Sequence, residues 1–250
     1  MSVWSAKRKM IYLTGAVLFV LVFVVLPVFL LIYRAPTCSD GKKNQGETGK
    51  DCGGPCQLIC PSVAIEPIVW WQRSFEIAPG VYNAVARIEN SNINSAVLRV
   101  KYVFRLYDKA NVVIASREGE TNIPSRQIFY VFEGGLATGE RLPVKATFEF
   151  ILPLNWIVKE AVIPLSITGQ VLSKASTTPR LDAILRNSGG DDLFNVEVIA
   201  ALFDADGNAI NVSKTIVDSV RSESVSPLFF TWRQPFDKTP VRIEIIPKLR

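Results

Sequence analysis

The sequence predicts a mainly β fold in which an N-terminal transmembrane helix and a short disulfide-rich loop precede two tandem β-sandwiches. Three observations predict it: an uncharged apolar run near the N-terminus, four cysteines confined to residues 38–60, and short apolar segments separated by turn signals in the remainder. With 250 residues, the chain is long enough for two domains that each bury a core.

The apolar run MIYLTGAVLFVLVFVVLPVFLLIY, at residues 10–33, predicts a membrane-spanning helix that follows a cytoplasmic stub at residues 1–9. As a helix the run extends about 36 Å, which is enough to cross a hydrocarbon core of roughly 30 Å, and Pro27 is a candidate kink. A cleaved signal peptide is the alternative, but its apolar part usually spans only about 7–15 residues, and no small-residue cleavage site ends this run. We therefore favour an uncleaved signal anchor in a single-pass membrane protein.

The basic residues beside the run predict its orientation. Lys7, Arg8 and Lys9 lie directly before it, so the positive-inside rule keeps the N-terminus cytoplasmic. Everything after Arg34 is then extracytoplasmic, either periplasmic or on the cell surface. Arg34, Lys42 and Lys43 on the other side reduce the charge asymmetry.

Charge and composition argue against two classes of function. Residues 1–60 contain 7 Lys/Arg and 3 Asp/Glu, whereas residues 61–250 contain 21 and 20, so the large exported part offers no basic face for nucleic acid. The chain has no histidine, which removes the commonest general base and the imidazole metal ligand. We therefore expect a protein that is not an enzyme, with no catalytic residue, no small-molecule substrate and no nucleic-acid partner.

Alternation of apolar and polar residues predicts strands with one buried face. In AVLRVKYVFRLYD (residues 96–108) the predicted buried set is Leu98, Val100, Tyr102, Phe104 and Leu106. The segment NVEVIAALFDADGNAI (residues 195–210) is predicted to behave in the same way. It then turns at DADGN, where a glycine can adopt a positive φ.

The two strands belong to a repeat with a period close to 97 residues. Ala86 aligns with Ala183, Asn90-Ser91 with Asn187-Ser188, and Leu106-Tyr107-Asp108 with Leu202-Phe203-Asp204. The aromatic segments IFYVF (residues 128–132) and LFFTW (residues 228–232) are also predicted to correspond. A period of this length is that of a whole small sandwich, which predicts sandwiches at residues 63–166 and 167–250.

The FRLYD segment at residues 104–108, preceded by ENS, resembles the FxLYD type of immunoglobulin-like module of bacterial and archaeal envelope proteins. The second unit departs from that pattern, because Ala200 replaces the first aromatic residue. The resemblance covers most of residues 65–250. It implies immunoglobulin-like β-sandwiches with a binding or spacer role and no catalytic residue.

The four cysteines, Cys38, Cys52, Cys56 and Cys60, predict two disulfides in a stalk at residues 34–62. A zinc site with four thiolate ligands is the alternative, although zinc sites usually present CxxC pairs and the close spacings here are CxxxC. Three disulfide pairings are open. The stretch also resembles a cysteine-rich repeat of secreted and surface proteins, CxDGxxNxxETxxDCGGxCxxC, from which Cys60 departs by one residue; the resemblance implies an extracellular setting.

Two further groups are candidate sites. Asp40, Asn44, Glu47 and Asp51 offer oxygen ligands of the kind that calcium requires, and no other cofactor is expected; turn caps are the alternative. Trp70 and Trp71 should point to opposite faces of a strand, with one filling the first sandwich core. The other ring either packs against the second sandwich or the cysteine-rich loop, which we favour, or is an anchor for a protein or sugar partner.

Together these features predict a membrane-anchored, extracytoplasmic binding or structural protein of the cell envelope that displays two sandwiches to a protein partner. An accessory or sensor subunit of a membrane or secretion complex is the alternative. An envelope hydrolase is the least favoured one.

Overall fold

The computed structural model describes residues 3–33, 35–160 and 164–249. It confirms the predicted fold class: the chain is mainly β, with one N-terminal apolar helical stretch, two disulfides in a short region and four sheets among the described residues. The contacts divide the chain into two compact units, Met1–Pro55 and Cys56–Arg250. Arg34, which enters the orientation argument, lies outside the described residues.

The helical stretch consists of α1 (Val3–Val20), a π-helical turn (Leu21–Val25) and α2 (Leu26–Ile32). Pro27 has no N–H, and its ring collides with the carbonyl of the preceding turn in a regular α-helix. The π-helical turn lies immediately before it and relieves this conflict. The segment Lys7–Ile32 is long and apolar enough to cross a membrane.

Strands make up the second unit. The described residues of its first half form β1 (Ile68–Ala78), β2 (Val81–Asn90), β3 (Ser95–Tyr107), β4 (Val113–Ile123), β5 (Gln127–Ala137), β6 (Lys145–Ile151) and β7 (Ile157–Val158). Those of its second half form β8 (Leu165–Ser173), β9 (Arg180–Asn187), β10 (Leu193–Phe203), β11 (Ala209–Val220), β12 (Val225–Thr231) and β13 (Arg242–Leu249).

Each half builds one sandwich from two antiparallel sheets. In the first, the sheet β1-β2-β5 faces the sheet β4-β3-β6, with β7 beside the start of β3. In the second, β8-β9-β12 faces β11-β10-β13. Each strand from β1 to β6 therefore has a counterpart, from β8 to β13, at the same place in its sheet. The core of the first sandwich is centred on Phe104, Leu106 and Phe129, and that of the second on Leu181, Leu185 and Phe230.

A third core joins the two sandwiches. It lies between the outer face of β1-β2-β5 and the outer face of β11-β10-β13, and its buried residues are Phe75, Val85, Tyr130, Ile199, Ala201, Phe203, Ala209 and Val212. Four sheets are thus stacked, and the two inner ones are covered on both faces.

The stacking corrects the prediction for β10. This strand does not alternate between buried and exposed residues: Val196, Val198 and Ala200 point into the second core, while Ile199 and Ala201 point into the third. A strand in an inner sheet has no solvated face, and its sequence is therefore a nearly continuous apolar run. The equivalent β3 lies in an outer sheet and keeps exposed charged residues on one face.

The predicted buried face of β3 is correct from Val100 to Leu106 and wrong at Leu98. A β-bulge between Val97 and Val100 shifts the alternation, so that Val97 is buried and Leu98 is 59% exposed. An inserted residue of this kind cannot be recognised from the alternation of apolar and polar residues in the sequence.

The register of the sheets also corrects the aromatic part of the repeat. Val131 lies opposite Ala86, and Leu228 lies opposite the equivalent Ala183, so these two residues correspond. The sequence alignment instead placed Ile128 on Leu228, three residues away. Similar composition on equivalent strands is therefore not a guide to register, which cross-strand pairing decides.

The predicted hairpin at DADGN is confirmed. The Asp204 carboxylate accepts hydrogen bonds from the N–H groups of Asp206 and Asn208, and Gly207 has φ +78°. At the equivalent turn after β3, Asp108 accepts from Ala110 and Val112, and Asn111 takes the positive φ. The repeat is thus preserved down to the side-chain caps of its turns.

Candidate binding groove

The four cysteines are all disulfide-bonded, and there is no free cysteine in the described part of the chain. Thiols that are joined in pairs cannot form the alternative zinc site with four thiolates. Two disulfides within a short segment indicate an oxidising, extracytoplasmic compartment. Residues 57–59 of the predicted stalk lie along β7, where Ile59 N–H donates to the Trp156 carbonyl at 2.9 Å.

The candidate calcium ligands cap turns of their own loop. Asp40 Oδ1 accepts from Lys42 N–H at 2.8 Å, and its Oδ2 accepts from the Asn44 side-chain amide at 2.7 Å. Asp51 Oδ1 accepts from Gly41 N–H, and the buried Glu47 accepts from the N–H groups of Asn44 and Asp51. The amide of Asn44 is the main cause that lowers the pKa of Asp40.

Calcium binding stays a hypothesis with a defined test. Because these carboxylates already accept hydrogen bonds from the loop, we expect isothermal titration of the full chain with millimolar calcium to give no heat of binding. Heat that disappears in an Asp40→Asn variant, and that magnesium does not reproduce, would establish the calcium site instead.

Trp70 is the inserted residue of a β-bulge in β1, between Val69 and Trp71. Trp70 is 56% exposed, and its Nε1 donates to Glu89 at 2.8 Å. Trp71 packs in the third core, with ring centroids 5.7 Å from Tyr130 and 6.3 Å from Phe203. Neither ring fills the first core, contrary to the prediction, because the bulge leaves Val69 as the inward residue and the outer face of this sheet is itself buried.

A polar cluster crosses the third core. Arg87 Nε donates to Glu244 Oε1 at 3.0 Å, Tyr130 Oη donates to the same oxygen at 2.8 Å, and Arg242 Nη1 donates to Glu244 Oε2 at 2.8 Å. Burial by itself would raise the pKa of Glu244, but the hydrogen bonds from Arg87 and Tyr130 outweigh it and lower the pKa. Burial first, and then the Glu244 charge, raises the pKa of Tyr130, which keeps its hydroxyl protonated as a donor.

A second polar bridge joins the sandwiches near the end of β13. The buried Lys248 donates to Thr121 Oγ1 in β4 at 2.7 Å and lies 3.5 Å from the buried Glu197 in β10. Asn122 donates its side-chain amide to the Leu249 carbonyl at 2.8 Å. The two sandwiches are therefore held by apolar packing and by directional contacts on separate sides of the interface.

A groove of about 830 Å³ runs along one side of this interface. Its walls are β1 from Arg73 to Ala78, the first residues of β11 and the segment 231–237 after β12. β1 and β11 are edge strands of their sheets, so both walls present backbone along an open edge. The volume lies within the range of ligand pockets, roughly 300–1,000 Å³.

The groove combines charged, amide and aromatic side chains. Arg73 joins the walls formed by β1 and β11, donating from Nη2 to Asn208 Oδ1 at 2.9 Å and from Nη1 to the Ala209 carbonyl at 3.2 Å. Trp232 Nε1 donates to Asn211 Oδ1, and the Trp232 ring meets Phe236 edge to face at 5.2 Å. The sequence does not predict that these residues meet, because Arg73 belongs to the first sandwich and Asn208, Asn211, Trp232 and Phe236 belong to the second.

No model of a known protein family matches this chain, and no curated protein matches it. Among solved structures, it is similar to a β-glucuronidase from glycoside hydrolase family 2 (9% identity, 66% of this chain and 24% of that chain, TM-score 0.24). It is also similar to a red sea bream transglutaminase (10%, 71% and 31%, TM-score 0.22) and to a putative β-galactosidase from Bacteroides fragilis (10%, 70% and 33%, TM-score 0.20).

The chain thus spans between 24% and 33% of the lengths of these three proteins. TM-scores of this size support no inference about activity or ligand.

Proposed function

We propose that this protein is a membrane-anchored, extracytoplasmic binding protein of the cell envelope that presents its two sandwiches as one joined unit. The observation that carries the proposal is the groove built jointly by both sandwiches, on a scaffold whose third core fixes its walls relative to each other. The exposed apolar segment Lys7–Ile32 supports the anchor, and the disulfides support the compartment.

The groove suits an extended segment of a protein partner. Edge strands bind extended polypeptide through backbone hydrogen bonds, and side-chain pockets along the edge supply specificity. The wall from Arg73 to Ala78 extends about 20 Å, which matches about six residues of a bound strand. Trp232 and Phe236 provide an apolar contact at one end, and Glu76 and Asp237 provide exposed charge.

Photo-cross-linking in intact cells tests the groove. A photoreactive phenylalanine analogue at Glu76, which is exposed in the groove, is expected to yield a discrete adduct with one protein partner. The same analogue at Glu118, which is exposed on β4 and outside the groove lining, is the matched control. Adducts at Glu118 alone, or the same adducts at both positions, contradict the groove assignment.

The same cells test the placement of the chain. Protease added from outside, after permeabilisation of any outer membrane, is expected to digest the C-terminal sandwiches and to leave an N-terminal fragment in the membrane. Sandwiches that stay protected until the inner membrane is lysed would place them in the cytoplasm, and the envelope function would then be rejected.

A further inference from the structure

The outer face of the sheet β8-β9-β12 carries an exposed apolar patch. Its large side chains are Val171 (58% exposed), Ile184 (41%), Val225 (61%) and Phe229 (51%). Pro227 lies directly opposite Ile184, and Phe229 and Val171 both lie opposite Asp182, so these residues are neighbours across three strands. Large apolar side chains grouped around Asp182 on one sheet face are more than the scattered exposure of ordinary surfaces.

The internal repeat shows what this kind of face does elsewhere in the chain. The sheet β1-β2-β5 is the counterpart of β8-β9-β12, and its outer face is covered by the second sandwich. Ile184 corresponds to Arg87, Pro227 to Tyr130 and Phe229 to Phe132, because Ala183 and Leu228 correspond to Ala86 and Val131.

Those counterparts all touch the second sandwich. Arg87 and Tyr130 bind Glu244, and Phe132 packs in the third core with Lys214 at 4.9 Å from its ring. The residues of the exposed patch are therefore equivalent to residues of the first sandwich that contact another β-sandwich.

A second copy of this chain has one suitable face to offer. The other outer sheet, β4-β3-β6, presents charged residues, including Arg99 paired with Glu120 and Arg105 paired with Glu149. Placing that face on the patch would desolvate its charges against apolar side chains. The apolar face is complementary to the same face of another copy, and contact between identical patches gives a closed two-fold dimer.

The charges within the patch favour the same arrangement. Arg180 Nη2 donates to Asp182 Oδ1 at 2.7 Å, and the guanidinium lies 4.6 Å from the Phe229 ring. A positive and a negative charge thus lie beside the apolar side chains. In a two-fold dimer, Arg180 of one copy can pair with Asp182 of the other. A common membrane would also raise the local concentration of the copies.

We propose that the patch formed by Val171, Ile184, Val225, Pro227 and Phe229 is a self-association surface through which two copies of this protein form a two-fold dimer. None of these five residues lines the groove. The proposal therefore stands or falls separately from the function proposed for the groove.

Sedimentation equilibrium of the full chain in density-matched detergent tests the dimer. The wild-type chain is expected to dimerise at micromolar concentrations, and Phe229→Glu to weaken dimerisation at least about tenfold, because each copy would bury a carboxylate. Leu98→Glu, at an exposed apolar residue of the opposite outer sheet, is the control and should dimerise like the wild type.

Several outcomes would overturn the proposal. A wild-type chain that remains monomeric throughout the micromolar range contradicts it. So does a dimer that persists in Phe229→Glu, which would point to contacts through the apolar helix or another surface. A second variant, Val171→Glu, should weaken dimerisation in the same way, and unchanged thermal unfolding midpoints would show that both variants are folded. A photoreactive analogue at Ile184 should cross-link two copies in the membrane. Failure to cross-link would reject the patch as the dimer interface.

Discussion

Replacement of Asn187 by alanine is expected to lower the free energy of unfolding by about 3–5 kcal/mol, because one buried and three partly buried hydrogen bonds to the backbone are lost. Asn187 is fully buried at the end of β9, and its amide donates to the carbonyls of Asp191, Val220 and Arg221. Its Oδ1 accepts from Gly189 N–H. One side chain thus joins three segments of the second sandwich.

Asn90 makes the equivalent junction in the first sandwich. Its amide donates to the carbonyls of Ser95 and Pro124, and its Oδ1 accepts from Asn92 N–H. Urea unfolding of Asn187→Ala, Asn90→Ala and the exposed control Asn94→Ala should give two large losses and one within about 0.5 kcal/mol of the wild type. Equal effects at all three positions would show that the buried junctions do not stabilise the fold.

Replacement of Glu244 by alanine is expected to destabilise the chain by about 2–4 kcal/mol at neutral pH, since Arg87 would remain in the third core without its partner. The side chains of Arg87 and Glu244 are only 17% and 18% exposed. Because the pKa of Glu244 is below its ordinary value of 4.5, its ionised form stabilises the folded state. That contribution is complete above about pH 5 and is lost as the pH falls through the lowered pKa of the folded state.

A double-mutant cycle isolates the pair. Arg87→Met removes the buried cation, so the double variant Arg87→Met/Glu244→Ala should be destabilised by less than the sum of the single variants. Glu244→Gln should also flatten the loss of stability below pH 5. Additive single effects, together with an unchanged acid limb, would mean that the ion pair does not hold the sandwiches together.

Much of the architecture is predictable from patterns in the sequence. The uncharged run that ends at Tyr33 and the turn residues around Gly207 reflect short-range chemistry, and the recurrence of Asn90 and Asn187 is visible by aligning the two halves of the sequence. The recurrence in particular marks a buried junction, since an asparagine at the end of a strand can satisfy backbone groups from three segments. The cysteines indicate an oxidising compartment, because whether disulfides form depends on the redox conditions and not on the rest of the fold.

The groove was not predictable from such patterns. Arg73 lies in the first sandwich and Asn211, Trp232 and Phe236 lie in the second, and they meet because the two sandwiches pack on one another. Trp71 is an example. The adjacent tryptophans in the sequence suggest a core residue and an anchor, but the bulge beside Val69 places the Trp71 ring in the interface between the sandwiches.

The sequence alone determined the mainly β class, the membrane-length apolar run and the two-fold repeat, because strand alternation, hydropathy and turn chemistry act over a few residues. Only the tertiary structure decided which face of each sheet is covered. The apolar run of β10 and the charged alternation of β3 have equivalent positions in the two repeats, and they differ because one sheet is stacked inside and the other outside. Stacking sets burial through contacts between distant segments, and the pattern of one strand does not identify the segments that cover it.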